Sequence, residues 1–232
     1  MKPLITILLA TRNEHKIVEI ESILGKSFEY FSLKDLPGAP EVTEDASTFA
    51  GNATKKAIVL ANWIGGLSNL PKGVTKPSFV LADDSGLEVD ALNGAPGVHS
   101  ARFAALDTGT DGNSSDASNT EKLLRLLQNI PLEQRTARFR CLLALTPVAD
   151  SHNQAASPVC YADELELTTE LFEGSCEGRI EFRPKGHGGF GYDPVFRPVG
   201  YEQTFSELGE ALKNQLSHRA KALMRCKQNL VK

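Results

Sequence analysis

Apolar positions along the chain fall into two rhythms. The run from Leu4 to Ala10 is unbroken, as in a central strand covered on both faces. Ile17, Ile20 and Leu24 then recur at i, i+3 and i+7, which predicts a helix with Asn13 as its N-cap and Gly25 as its C-cap. Residues 28–33 alternate and predict a second strand, and residues 36–40 form a Pro/Gly connection. Phe49, Ala53, Ala57, Leu60, Ala61 and Ile64 make a helical stripe over residues 48–64, closed by Gly65 and Gly66. A polar loop over 68–77 leads to a strand at 78–82. That strand runs into Asp83-Asp84-Ser85-Gly86, which on its four letters alone reads as an acidic β-turn. Residues 87–91 read as a short partner strand, and 93–96 as a turn.

The second half is less regular. Residues 107–118, rich in Gly, Ser, Thr, Asn and Asp, read as a solvated, mobile insertion. Residues 121–130 form an amphipathic helix through Leu123, Leu126, Leu127 and Ile130, and 137–145 alternate as a strand. A loop at 148–158 precedes two or three strands between 159 and 182. Residues 185–194 are a glycine-rich loop, and 217–230 a last helix. The order predicts an α/β fold: an extended mixed β-sheet with flanking helices, and one domain over residues 1–232 with no clean linker.

Composition narrows the classes. The 232 residues carry 25 basic and 29 acidic side chains, a net charge of −4, with 41% apolar content. A disordered chain would be less apolar and more charged. No run approaches the roughly 18 apolar residues of a membrane span. The first apolar run is followed by Arg12-Asn13-Glu14, where a secretory signal would need small residues, so a cytoplasmic location is expected. The acidic balance speaks against binding nucleic acid through bulk charge. Cys141, Cys160, Cys176 and Cys226 show no C-x-x-C spacing, so neither a zinc site nor a disulfide framework is expected.

Four segments carry candidate chemistry. Asp83-Asp84 follows an apolar strand, and ligands of α/β sheets gather beyond strand carboxyl ends. Carboxylates there are hard ligands suited to Mg²⁺, and alternation turns only one of the two toward a site. Residues 186–191 formally fit G-x-G-x-x-G, but no apolar strand precedes them and Pro194 follows, so a dinucleotide fingerprint is a poor fit. The glycines read either as a hairpin tip or as backbone that approaches a ligand, with Phe190 and Tyr192 as stacking surfaces. Lys213, His218 and Arg219 straddle a helix start that Ser217 can cap. Cations there oppose the macrodipole unless an anion or a base carbonyl sits nearby, and a solvated basic face is the alternative. Thr11-Arg12-Asn13-Glu14-His15-Lys16 is a strand-to-helix turn with free N–H groups and a lysine, suited to a polyphosphate. Gly25-Lys26-Ser27 lacks the earlier glycine of a P-loop, and no G-x-S-x-G occurs.

Taken in order, the stretches LLATRNEHK, TFAGNA, LADDSGLEVDALNGAPGVHSARFA, RTARFRC, GHGGFGYDPVF and LKNQLSHRAKAL resemble the inosine/xanthosine triphosphate pyrophosphatase family over nearly the whole chain. The resemblance implies two lobes around a central nucleotide cleft. It also implies Mg²⁺-dependent hydrolysis of ITP, dITP and XTP to the monophosphate and pyrophosphate, and a homodimer. It assigns Thr11, Arg12, Asn13, Glu14, His15 and Lys16 to phosphate binding. Asp84 becomes the general base and a metal ligand, with Ser85 touching substrate. Phe190, Gly191, Tyr192, Asp193, Lys213, His218 and Arg219 also bind substrate. Glu44 is the second metal residue, with Glu41 and Asp45 as alternatives. Arg12 stands where the family often has glycine. Lys55 can add positive charge. Two other readings stand beside this one: a purine-nucleotide sensor without turnover, and a remote dinucleotide-dependent dehydrogenase. No nucleic-acid or membrane partner is expected.

Overall fold

The structure is a computed structural model and describes residues 4–110, 112–148 and 164–231. Six strands form one mixed sheet: β1 (Ile5–Leu9), β2 (Phe28–Ser32), β3 (Phe79–Val89), β4 (Thr136–Pro147), β5 (Glu170–Ile180) and β6 (Phe196–Pro198). Their order across the sheet is β2-β1-β3-β4-β5-β6. β1 is parallel to β2, with Ile5 opposite Phe28 and Leu9 opposite Ser32, and parallel to β3, with Ile7 opposite Phe79. β5 and β6 are antiparallel, with Ile180 opposite Phe196. Among the described residues seven α-helices accompany the strands: α1 (Glu14–Leu24), α2 (Phe49–Gly65), α3 (Asp116–Leu126), α4 (Glu164–Thr168), α5 (Phe205–Leu208), α6 (Glu210–Leu216) and α7 (His218–Leu230). The expected mixed sheet with flanking helices is therefore present. No helix among the described residues is long and apolar enough to cross a membrane.

The chain packs as two compact units. The first holds Met1–Asp84, Leu142–Phe172 and Leu223–Lys232; the second holds Ser85–Cys141 and Glu173–Ala222. Each has its own core. In the first, Leu8, Ala53, Ala57, Leu60, Ile64, Val80 and Ala82 pack together and are essentially buried. The small residues of α2 let that helix lie close to the sheet, while Leu60 and Ile64 each contribute about 1.5–3 kcal/mol by leaving water. In the second, Leu87, Val89, Leu123, Phe139, Phe196 and Phe205 form the core. The rings of Phe139 and Phe196 lie 4.6 Å apart and tilted, an arrangement aromatic quadrupoles favour.

The local signals for β1, α1, α2 and α7 were sufficient. The Asn13 side chain accepts the Lys16 N–H, Thr48 that of Gly51, and Ser217 that of Ala220. Elsewhere the structure departs from the expectation. Residues 83–86 are not a turn: β3 continues through them to Val89. An acidic turn would keep its carboxylates in water, whereas Asp83 and Asp84 are buried with partners of their own. The expected insertion over 107–118 is shorter and anchored. Ser115 caps α3 at Asp116, the Ser114 hydroxyl accepts the Ala105 N–H, and Asn119 accepts the Ala104 N–H. α3 accordingly starts earlier than the apolar stripe suggests, and Leu127 to Ile130 follow it as turns. Between 159 and 182 the described residues hold α4 and one long strand instead of two or three strands. Most of the expected 148–158 loop, and Cys160, lie outside the described residues. The other three cysteines are buried free thiols.

Candidate active site

In the first unit the site grows from the carboxyl end of β1 and the middle of β3. β1 delivers the chain into the turn at Thr11–Lys16. The Thr11 hydroxyl accepts the Asn13 N–H at 3.1 Å, and Asn13 caps α1, so the turn is held by its own side chains. Arg12, Asn13, Glu14 and His15 are exposed. The Arg12 guanidinium donates to the Ala39 carbonyl at 3.4 Å. Glu14 pairs with Lys34, which holds its carboxyl below the usual range. Lys16, its side chain 19% exposed, pairs with Asp83, whose side chain is 2% exposed. Exposed donors at a helix N-terminus, with a lysine one turn in, can receive an anion.

Asp84 is the more demanding group. It lies at the strand position where β3 leaves the first unit, 6% exposed. Its Oδ2 accepts a hydrogen bond from Asn52 Nδ2 at 2.9 Å. Burial pushes its carboxyl from 3.8 up to about 6, the negative charge of Glu44 adds to the rise, and Asn52, Lys16 and Lys56 oppose it. Of the three candidate acids upstream of α2, Glu44 is thus the one whose charge Asp84 feels. Glu44 pairs with Lys56 at 2.7 Å, and Lys56 also donates to the Asp83 carbonyl at 3.3 Å. Asp45 is exposed on Lys55, and Glu41 is exposed. Two mutually repelling acids, one of them buried within β3, form a donor set that a hard cation would relieve. No group of three or more His, Cys, Asp or Glu side chains converges among the described residues. Mg²⁺ commonly takes one or two protein carboxylates and keeps waters, so the pair fits it.

In the second unit the 185–194 loop is clamped from within. Asp193 Oδ2 accepts the Phe190 N–H at 2.9 Å and pairs with Lys213 Nζ at 2.6 Å, both side chains being nearly buried. Gly189 has φ +76, and a Cβ there would meet Asp193 Oδ2 at 2.3 Å, so both its conformation and its space require glycine. Gly191 N–H donates to Asp116 at 2.6 Å. Tyr192 is buried, and its hydroxyl donates to the Ser100 carbonyl at 2.9 Å. The Phe190 ring remains partly exposed, with Lys213 Nζ 4.4 Å and the Arg219 guanidinium 5.8 Å from its centre. Arg219 also donates to the Ser85 hydroxyl at 2.8 Å. His218 stacks on Phe139 at 4.8 Å, and Gly174 admits this helix start, since a Cβ there would lie 2.1 Å from the His218 carbonyl.

The residues singled out from the sequence therefore gather in two sets. Thr11–Lys16, Glu44 and Asp84 belong to the first unit. Ser85, Phe190, Gly191, Tyr192, Asp193, Lys213, His218 and Arg219 belong to the second. In the second set Phe190 presents a partly exposed aromatic face, Arg219 is buried at 1% exposure beneath it, and Tyr192 and Asp193 hold the loop together. Two residues that contact the first set were not singled out: Asn52 and Lys56. Asn52 is an amide inside the apolar stripe of α2, a pattern that an ordinary interior residue shares.

Within this α/β fold the first unit thus sets buried carboxylates and a lysine partner along β3, and the second holds an aromatic loop clamped by a buried ion pair. The chain belongs to the Ham1 family, whose pattern matches residues 7–229. A protein of Desulforamulus reducens named dITP/XTP pyrophosphatase is 43% identical, over 97% of this chain and 94% of its own length. A solved HAM1 protein from Coxiella burnetii superposes with a TM-score of 0.73 at 32% identity, over 98% of both chains. A solved nucleoside-triphosphatase / dITP/XTP pyrophosphatase from Mycobacterium abscessus gives 0.66 at 35% identity, over 96% of this chain and 98% of that one. The family resemblance carried by the sequence motifs is borne out.

Proposed function

We propose that this protein hydrolyses dITP, ITP and XTP to the nucleoside monophosphate and pyrophosphate. The observation that supports it most is Asp84: a buried carboxylate pushed up to about 6, held by Asn52, beside Glu44 and within the influence of Lys16 and Lys56. A carboxylate that titrates near neutrality is a proficient acceptor for a proton from water. Asp84 takes that proton as the water oxygen bonds to the α-phosphorus, and the bond to the bridging oxygen breaks to release pyrophosphate. Thr11, Asn13 and Lys16, with exposed Arg12 and His15, receive the phosphates at the α1 start.

Asp84 and Glu44 would hold Mg²⁺. Bound there, the ion would supply charge neutralisation at the phosphoryl oxygens. The relatives' names support the substrate class. The finer assignments are this chain's own chemistry. Phe190 offers a stacking face for the purine. Arg219 and His218, or the loop backbone, donate to the 6-oxo group of hypoxanthine or xanthine. Adenine carries an amino group there and would leave a donor unpaired, a strong form of rejection. Guanine must be refused at its 2-amino group instead. The enzyme is expected to be a cytoplasmic homodimer with no nucleic-acid partner.

A substrate panel with separate detection of pyrophosphate and orthophosphate tests the reading. Pyrophosphate from dITP, ITP and XTP, with ATP and GTP turned over far more slowly, is the expected result. Equal rates on ATP and GTP would remove the selectivity. Tight binding of ITP in Mg²⁺ without release of either product would make the protein a sensor.

A further inference from the structure

Asn52 is the polar member of an otherwise apolar stripe. It lies on α2 with Phe49 and Ala53 and is 1% exposed. A buried primary amide costs stability unless both ends are satisfied. Here each end has a partner of a different kind. Oδ1 accepts the Ala46 N–H at 2.9 Å, and Nδ2 donates to Asp84 Oδ2 at 2.9 Å. The first bond closes the segment carrying Glu44 and Asp45 onto the start of α2. The second restrains the rotation of the Asp84 carboxylate by fixing one of its two oxygens.

The neighbouring links to the same segment are different in kind. Lys55 holds Asp45 at an exposed pair, and Lys56 holds Glu44 with its carboxylate one third exposed. Such pairs are screened and individually weak. The Asn52 link is buried and directional. Gly51 shows how tightly the segment is drawn in: a Cβ on it would meet the Ala46 Cβ at 2.8 Å.

We propose that Asn52 is a positioning residue that locks the Glu44-bearing segment and the Asp84 carboxylate into a single geometry. The proposal rests on the pyrophosphatase reading, in which those two acids act together. It goes beyond that reading by assigning their alignment to one buried amide whose two ends are bonded to Ala46 and Asp84.

Two substitutions separate the two ends of the amide. Asn52→Asp keeps an acceptor for Ala46 and loses the donor to Asp84. Asn52→Ala loses both. In each, kcat is expected to fall at least about tenfold, with KM for dITP within about threefold of wild type, because an interaction used in the transition state is removed and ground-state binding is not. Amide hydrogen exchange reads the other end without turnover. Ala46 should exchange about tenfold faster in Asn52→Ala and keep wild-type protection in Asn52→Asp. Gly51→Ala, which leaves Asn52 in place and pushes Ala46 away, should lower kcat and speed Ala46 exchange together.

A folded Asn52 variant with kcat within about twofold of wild type would overturn the proposal, as would a variant that raises KM and keeps kcat. If the Asn52 variants do not fold, wild-type exchange and Gly51→Ala carry the test. Wild-type Ala46 exchanging as fast as exposed Asp45, or Gly51→Ala with unchanged kcat, overturns it. Failure of the pyrophosphatase reading looks different: wild-type protein would then release no pyrophosphate from dITP, ITP or XTP.

Discussion

Asp84 is expensive to keep ionised. Its ordinary value of 3.8 is pushed up to about 6, mainly by burial. Between those two pH values the folded protein holds the proton more firmly than the unfolded chain does. The stabilisation is therefore complete below the ordinary range and is lost as pH rises through about 6. At neutral pH the ionised group costs on the order of 3 kcal/mol. Asp84→Asn should accordingly do two opposite things. Turnover should fall by about 10²–10⁴, the usual worth of a general base. Metal-free Asp84→Asn should also unfold at a higher temperature than wild type at pH 8, with the gap narrowing at pH 5. A gap independent of pH would show that burial of the carboxylate is not its origin. Mg²⁺ should raise the unfolding temperature of wild type, by binding only the folded state, and leave Asp84→Asn nearly unmoved. Asp84 and Lys16 were legible in the sequence because each follows a run of apolar letters that marks a strand. Asn52 was not, since one amide in a helix reads as a tolerated interior residue. Its partner Asp84 is 32 positions away and meets it only when α2 packs.

The 185–194 loop has no regular structure, yet it is held as firmly as an element. Its lock is the buried Lys213–Asp193 pair. Removing one member of a buried pair strands the other charge, at about 3–5 kcal/mol. Lys213→Met should lose stability on that scale in urea unfolding. Adding Asp193→Asn should restore part of it, because the neutral amide keeps an acceptor for the Phe190 N–H and no longer needs a cation. A double variant less stable than Lys213→Met would contradict the lock. The same scale separates what local pattern could reveal from what it could not. α1, α2 and α7 carry their caps and stripes within their own residues. β3 was cut short because Asp83-Asp84-Ser85-Gly86 has turn letters, and partners from other elements, among them Lys16, Asn52 and Lys56, make that stretch tolerable as buried strand. β6 has three residues and exists through its pairing with β5.

For the whole molecule, a net charge of −4 sets a long-range field against a substrate with about four negative charges. On the proposed reading, binding relies on local positive groups at the α1 start. Ionic strength reports which of these dominates. KM for dITP should rise as salt screens the local attraction, while kcat changes little. A KM that falls with salt would mean that the overall repulsion outweighs the local attraction. Light scattering should give the mass of a dimer.

The division of the chain between its two units bears on how it is made. The first unit contains the phosphate-type turn and Asp84, and it also claims Leu223–Lys232, where Leu223 and Cys226 are fully buried. A chain growing from its N-terminus synthesises Asp84 early, yet the unit around it gains its last buried side chains only when this segment appears. Nascent protein thus carries Asp84 before it carries Leu223 and Cys226, buried side chains of the same unit. A chain cut after Ala222 should lack that packing and be a chaperone client rather than a slower enzyme.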